Sequence, residues 1–533
     1  MAGRRLKFWG WGYEGEGLSA DEQNAVLRTF ADDFGITPRD GGAMPALEDI
    51  ELRAPRRAPP DSLAAICTSE PYERALHAFG QSQPDSLRIH ARDFAHAPDV
   101  VAYPNNTGEI AAIYDWAGEI GAAIVPYGGG SSVVGGVTSD VGDVYAGTVT
   151  IDLSRFNKVL EIDDVSRSAR IEGGARGPEL EAQLKPSGLT LRHFPQSFEH
   201  STLGGWIATR SGGHFATLHT HIDDLVESIT TVTPVGTLQS RRLPGSGAGP
   251  SPDRFVMGSE GALGIITEAW VRLQGRPMHK ATMGLRFADF FDAARAVRAV
   301  AQAGLYPANV RIVDGVELKI NGATDGSFSL MVVSFESSDH PVDAWMARAE
   351  QCCLDHGGTV DVDWRDNPKA NLQGAVGAWR TAFIRMPYNR EVLTPRGIIS
   401  DTFETAITWE RFEEFYHAIK SATATAIREV TGREGAVSCR FSHAYPDGPA
   451  PYFAFHSAGG EGAILEQWQA IKAAASDAII ANGGTITHHH AIGRDHQKWY
   501  EQQRPPLFGD VLAAAKRRLD PRGILNPGVV IAG

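Results

Sequence analysis

Val125-Pro126-Tyr127-Gly128-Gly129-Gly130-Ser131-Ser132-Val133-Val134-Gly135-Gly136 is the stretch on which the reading of this chain turns. It follows Ala122–Pro126, an apolar run that reads as a strand. Three successive glycines free the backbone for positive φ and let N–H groups face an anion, with Gly129 leaving room for its approach. Ser131 and Ser132 then supply hydroxyls for phosphate oxygens. The spacing is not Gly-x-Gly-x-x-Gly, and no Gly-Lys-Ser/Thr follows, so neither a dinucleotide fingerprint nor a P-loop is present. A plain tight turn is the commoner cause of such a run.

Two further turns give it weight. Pro195-Gln196-Ser197-Phe198-Glu199-His200-Ser201-Thr202-Leu203-Gly204-Gly205 leads into Thr209-Arg210-Ser211-Gly212-Gly213. Glu260-Gly261-Ala262-Leu263-Gly264-Ile265-Ile266 comes later, before another strand pattern ending at Leu273. Three small-residue, hydroxyl-bearing turns can wrap a long phosphate-bearing cofactor. The expected cofactor contacts are Pro126, Tyr127, Gly128, Gly129, Gly130, Ser131 and Ser132, then Gln196, Ser197, Phe198, Glu199, His200, Ser201, Thr202, Gly205, Thr209, Arg210, Ser211 and Gly212. Glu260, Gly261, Ala262, Leu263, Gly264, Ile265 and Ile266 complete the set.

Composition bounds the function. The 533 residues hold 50 Lys and Arg against 64 Asp and Glu, a net charge of −14, which argues against nucleic-acid binding. An anionic substrate therefore needs a local basic pocket, because the global field opposes it. Cys67, Cys352, Cys353 and Cys439 form no Cys-x-x-Cys pair and read as buried thiols in a reducing compartment. No apolar run reaches membrane-spanning length. The start, with Arg4, Arg5, Lys7, Phe8, Trp9 and Trp11, lacks the apolar core of a secretory signal, and Val529–Gly533 is not a peroxisomal address. The tryptophans are expected to pack on the main body, with lipid-surface contact the minor reading.

Four stretches follow: an N-terminal extension over 1–95, a cofactor domain over 96–275, a cap over 276–485 and a C-terminal segment over 486–533. In the cap, Lys280–Phe287, Phe290–Ala303, Asn309–Ile312, Ser329–Ser334, Val342–His356 and Thr359–Val362 alternate in a β–α–β–β–α–β order, a ferredoxin-like pattern. The stretch 375–430 reads as a link and a long helix, 436–458 as strands and 461–482 as a helix.

The three glycine turns resemble the FAD-binding half of the vanillyl-alcohol-oxidase/PCMH superfamily. LKFWGWGY at the start, FVMGSEGALGIITEA, NVRIVD, SDTFETAITWERF, PYFAF and above all GGTITHHHAIG are similar to the alkylglycerone-phosphate (alkyl-dihydroxyacetonephosphate) synthases and their bacterial relatives. The resemblance implies an α+β fold: a PCMH-type FAD-binding domain of two α/β subdomains with a ferredoxin-like cap that supplies the substrate pocket. It implies non-covalent FAD, since Tyr127 and not His precedes the first glycines.

It also implies site residues. His488, His489 and His490 would lie near the flavin and handle protons. As a strand they would alternate faces, and an H-x-H metal pair is the minor reading, so no metal is expected. Without the resemblance, a surface run of histidines would be the preferred reading. Tyr452 would be the catalytic tyrosine, although a base role requires positive neighbours. Arg390 would grip a substrate phosphate, with Arg385 and Arg396 as alternates, and Arg311 would act near the flavin. Glu404 and Thr405 read as pocket wall, with His443 and Tyr445 as further lining. The implied reaction replaces the acyl group of an acyl-dihydroxyacetone phosphate by a fatty alcohol through a flavin N5 adduct. The alternative is an FAD-linked oxidoreductase acting on a 2-hydroxy acid or another small alcohol. Small-molecule or lipid-phosphate substrate, a cytoplasmic location with peripheral membrane contact, and a homodimer complete the expectations.

Overall fold

The computed structural model describes residues 5–531; Arg4 and the last two residues lie outside them. Three sheets organise the chain. The first is four-stranded, in the order Cys67–Thr68, Val100–Ala102, Gly147–Asp152 and Ala122–Tyr127. Its last three strands are parallel, and each is wholly or almost wholly buried, as a doubly covered parallel sheet requires. The crossover helix Thr107–Ile120 starts where the Asn106 side chain accepts the Glu109 N–H and stops at Gly121, whose φ of +67° is cheap only for glycine. The second sheet orders Val159–Asp163, Ser168–Glu172, Ile265–Arg272, Val226–Thr233 and Gly236–Gln239, all antiparallel.

The third sheet is the cap. Thr359–Val362, His279–Phe287, Ser329–Ser337 and Asn309–Val313 lie in the ferredoxin-like order. Gly435–Ala444, Pro449–Ala458 and Ile398–Glu404 then extend it to seven strands. The join is narrow, a single Val313–Arg440 pair. The strand Ile398–Glu404 falls inside the stretch read as link and helix, because Ser400, Thr402 and Glu404 give it a polar face. Helices Phe290–Gln302, Asp343–Leu354, Phe412–Thr431 and Ile464–Ala481 cover one side. In Phe290–Gln302 the buried positions Phe290, Ala293, Val297 and Val300 recur at helical spacing, and Asp289 caps the first turn.

The first 95 residues are woven into the rest. Cys67–Thr68 pairs with Val101 and Ala102 as the edge of the first sheet. The Gln81 N–H donates to the Ser132 carbonyl in the first glycine turn (2.6 Å). Lys7 is buried against Glu391 of the cap (2.9 Å), and Trp11 packs on His200. Lys7 and Phe8 are therefore interior, which removes both from the lipid-surface reading. No helix among the described residues is long and apolar enough to cross a membrane.

Candidate active site

The first glycine turn leaves the carboxyl end of the strand Ala122–Tyr127. The N–H groups from Gly129 to Val133 donate to no group of the chain among the described residues, while Ser132 Oγ takes the Gly136 N–H (2.8 Å). Free N–H groups at a glycine turn suit an anionic group such as a pyrophosphate. Gly129 carries a packing role beside the expected one. A Cβ there would lie 1.8 Å from the His200 carbonyl, so its bareness lets the first turn dock on the second. The third turn locks in from the other side. A Cβ on Gly261 would strike Pro126, and Asn526 Nδ2 donates to both the Gly136 and Glu260 carbonyls (3.0 and 2.7 Å).

The expected cofactor residues divide by role. Thr202 caps the helix Leu203–Thr209, Ser201 accepts the Trp206 indole N–H (2.6 Å), and Gln196 reaches the Phe383 carbonyl of the cap (3.0 Å). Phe198 stacks on Trp206, Thr209 bonds back to the Gly205 carbonyl, and Ser211 meets the buried ring of His193. Arg210 turns to Asp223 (2.8 Å). Leu263, Ile265 and Ile266 are core side chains that hold the third turn from behind. The Glu260 carboxylate receives the N–H groups of Ile492 and Gly493 (2.8 and 3.0 Å). Burial pushes this carboxyl up to about 7 against those two N–H bonds.

A second cluster faces these turns from the cap. Glu404, Tyr452, Arg440 and Val313 are consecutive partners on four neighbouring strands, a single row across the sheet. Register places their side chains on one face. The Tyr452 ring lies 3.8 Å from the Arg440 guanidinium carbon, and its hydroxyl donates to Thr402 Oγ1 (3.0 Å). Burial raises the tyrosine's pKa despite that arginine, so the phenol keeps its proton. Arg440 is itself paired with the buried Glu317. Arg311 lies on the same face, two residues before Val313, with its guanidinium 5.3 Å from the Phe383 ring.

The three histidines do not form a strand. The Glu404 carboxylate accepts the N–H groups of His488, His489 (3.1 Å) and His490 (2.9 Å), together with the Thr487 hydroxyl. The backbone curls around that carboxylate and has no N–H left for strand pairing. Burial alone would raise the Glu404 carboxyl; the neighbouring imidazoles, the hydroxyl and the N–H donors hold it below the ordinary range. The imidazoles fan outward. His489 and His490 lie 6.0 and 5.3 Å from the Tyr452 ring, centre to centre. Burial, reinforced by mutual repulsion, keeps His488 and His489 far below their usual pKa and so neutral. A chain of contacts runs from Thr220 to the Tyr445 hydroxyl (3.1 Å), on to His488 Nε2 (2.7 Å), and between the Nδ1 atoms of His488 and His489 (3.0 Å).

His443, His488 and His489 offer ring nitrogens all within 4.8 Å of one another, enough to hold a divalent cation. Each has a hydrogen-bond partner as well. His443 Nε2 donates to the Gly213 carbonyl (3.1 Å), and the other two join the chain just described.

Arg390 is placed differently. It donates to the Gln81 carbonyl and pairs with Asp401 (3.1 Å). Asp401 also receives Trp468 Nε1 (2.9 Å) and Lys472 (3.2 Å), on the helix-covered side of its strand. The alternates are engaged too: Arg385 with the Gly17 carbonyl and Glu22, Arg396 with the Val392 carbonyl. Sequence reasoning missed Arg440, His193, His214 and His221. Arg440 was findable, since Ser438, Arg440 and Ser442 alternate with Cys439 and Phe441 along one strand. The buried histidines gave no signal of their own.

Comparison with known proteins agrees with this architecture. A family model described as "FAD binding domain" matches residues 98–241, and one described as "FAD linked oxidases, C-terminal domain" matches 276–530. Alkyldihydroxyacetonephosphate synthase of Dictyostelium discoideum is 30% identical over 91% of this chain and 83% of its own. A solved alkyldihydroxyacetonephosphate synthase structure superposes with a TM-score of 0.79 at 26% identity, covering 98% of each chain. Glycolate oxidase subunit GlcD of Bacillus subtilis is 27% identical over 82% of this chain and 89% of its own.

Proposed function

Because the chain belongs to the alkyldihydroxyacetonephosphate synthase family of FAD-dependent enzymes, we propose that it exchanges the acyl group of an acyl-dihydroxyacetone phosphate for a fatty alcohol, forming an ether lipid precursor. The observation that carries this reading is the Glu404–Tyr452–Arg440 row facing the histidine bend. Bound non-covalently across the three glycine turns, FAD would supply the centre that holds the three-carbon unit while one oxygen substituent replaces another.

The protein's share is proton management. The bond from C1 to the acyl oxygen breaks, and a bond from C1 to the alcohol oxygen forms. The alcohol loses its hydroxyl proton and the departing carboxylate gains one, so protons balance across the cycle. A neutral imidazole can take the first proton and return it. His489 and His490 are the candidates, held in place by their N–H bonds to Glu404 and adjacent to Tyr452. Tyr452 keeps its proton and can lend it to a carbonyl or carbon, with the Arg440 cation stabilising the phenolate that results. The strand Pro449–Ala458, which carries Tyr452, is buried along its whole length.

The test is incubation of FAD-loaded protein with acyl-dihydroxyacetone phosphate and labelled fatty alcohol. Ether product and one equivalent of fatty acid are expected. The second reading, oxidation of a 2-hydroxy acid, draws on the glycolate oxidase relative. Anaerobic bleaching of the flavin by glycolate or D-lactate, with no ether product at any chain length, would favour it.

A further inference from the structure

A chain with a charge of −14 that takes an anionic substrate requires a concentrated basic site. Arg390 is already engaged: it donates to the Gln81 carbonyl and shares Asp401 with Lys472. Arg311 differs. It is half-buried with its Nε shut off from solvent, and among the described residues it has no carboxylate partner and that Nε has no hydrogen-bond partner. Burial, together with the Arg440 cation, lowers its pKa to about 10.

His214 lies beside the strand that carries this arginine: two residues on, the Ala216 N–H donates to the Ala308 carbonyl (3.0 Å), one residue before Asn309–Val313. Both of its ring nitrogens are shut off from solvent and have no partner. Its ring packs on Phe215 and on Phe194, at 4.1 and 5.1 Å between centres. Burial lowers its pKa steeply, and the neighbouring charges that act on it, Arg192, Arg311 and Lys280, push the same way. Among the described residues, Glu336 pairs with Arg192 and Lys280 and offsets those two. On the cap side, Asn309 presents an unpartnered buried oxygen, and it lies on the same face of the same strand as Arg311. A cation with a buried Nε and no counter-ion, beside an imidazole whose two buried nitrogens have no partner, is costly unless a ligand completes it.

We propose that His214 and Arg311 together seat the oxyanion of the substrate, with His214 as a specificity-determining residue and Arg390 confined to holding the cap against the first glycine turn. Under the ether-forming reading, on which this assignment of ligand rests, the oxyanion is a phosphate monoester; under the oxidoreductase reading it is a carboxylate. The pyrophosphate of the cofactor is not the occupant, because the free N–H groups of Gly129 to Val133 lie on another domain and already suit it. Arg311 shares its sheet face with Tyr452, so an anion held there keeps the substrate beside the row.

The experiment titrates glycerol 3-phosphate, and separately D-lactate, into FAD-loaded protein and reads binding by calorimetry. FAD content is measured for every variant. His214→Asn and Arg311→Gln should each weaken glycerol 3-phosphate binding tenfold to a hundredfold with full FAD content, and Arg390→Gln should change it less than threefold. If Arg311→Gln does not fold, His214→Asn carries the test alone. The proposal is overturned if Arg390→Gln weakens binding and His214→Asn does not, if His214→Asn strips FAD, or if neither anion binds wild type. Binding of D-lactate alone, weakened by His214→Asn, would keep the seat and remove the ether-forming reading. Ether product with an unchanged KM in His214→Asn would keep that reading and remove the seat.

Discussion

Two stretches of this molecule present a run of backbone N–H groups to an anion, and they use it in opposite ways. From Gly129 to Val133 the donors find no partner among the described residues. From His488 to His490 they converge on a carboxylate from the cap sheet, Glu404. The first is chemically suited to a phosphate from outside. The second is closed by a residue of the same chain, and what it offers outward is the imidazoles. Glycine suits the first because bare backbone must approach the ligand. In the second, under the proposed mechanism, the side chains would carry the chemistry while the backbone aims them.

Breaking the closed unit has the largest expected effect. Glu404→Ala leaves three N–H groups buried without an acceptor. We expect a loss of about 3–5 kcal/mol of stability in denaturant unfolding, and ether formation below one-thousandth of wild type even where FAD is retained. Activity within tenfold of wild type would show that the histidine bend does not depend on this carboxylate. On the open side, Gly129→Val should abolish FAD retention. The added Cβ pushes the first turn away from the His200 carbonyl, so the second turn moves as well. A yellow, stoichiometrically loaded Gly129→Val protein would contradict the docking of the two turns.

Tyr452→Phe sharpens the distinction. It removes a proton donor but no backbone acceptor, so turnover should fall at least a hundredfold while FAD content stays full. Stability should change by only about 1 kcal/mol for the lost bond to Thr402. Glu260→Gln probes the join between the third turn and the C-terminal segment. Its folded pKa of about 7 lies above the ordinary 4.5, so its contribution to stability is complete below about pH 4.5 and is lost as pH rises through 7. Asp495, also raised by burial to about 7, acts in the same direction. The thermal midpoint of Glu260→Gln relative to wild type should therefore rise between pH 5 and 8, whatever the opposite slope that buried neutral histidines such as His488 and His489 give both proteins. A difference that stays constant with pH would mean Glu260 is ionised throughout. The smallest expected effect is that of chelators: EDTA should leave turnover intact, since the three clustered imidazoles already bond to one another and to the protein. Loss of turnover restored by zinc would show the cluster to be a metal centre.

Much of the fold could be read in advance, for physical reasons that also explain the failures. The glycine turns, the strand before the first of them and the β–α–β–β–α–β cap follow from local periodicity and from turn residues with few alternatives. The strand Ile398–Glu404 escaped because its polar face, Ser400, Thr402 and Glu404, lines a site and does not face solvent. The histidine run was misread as extended because nothing in GGTITHHHAIG reveals an acceptor some eighty residues earlier. Glu404 looked like wall for the same reason. Tyr452 and Arg311 lie on the face that holds the row, whereas Arg390 pairs with Asp401, a partner only the cap's packing could reveal.

The most direct measurement is a single turnover under anaerobic conditions with FAD-loaded protein, acyl-dihydroxyacetone phosphate and a labelled fatty alcohol. The account predicts one fatty acid released and one ether formed per flavin, with the flavin oxidised at the end as at the start. A flavin left reduced, or fatty acid released with no ether bond made, would contradict it.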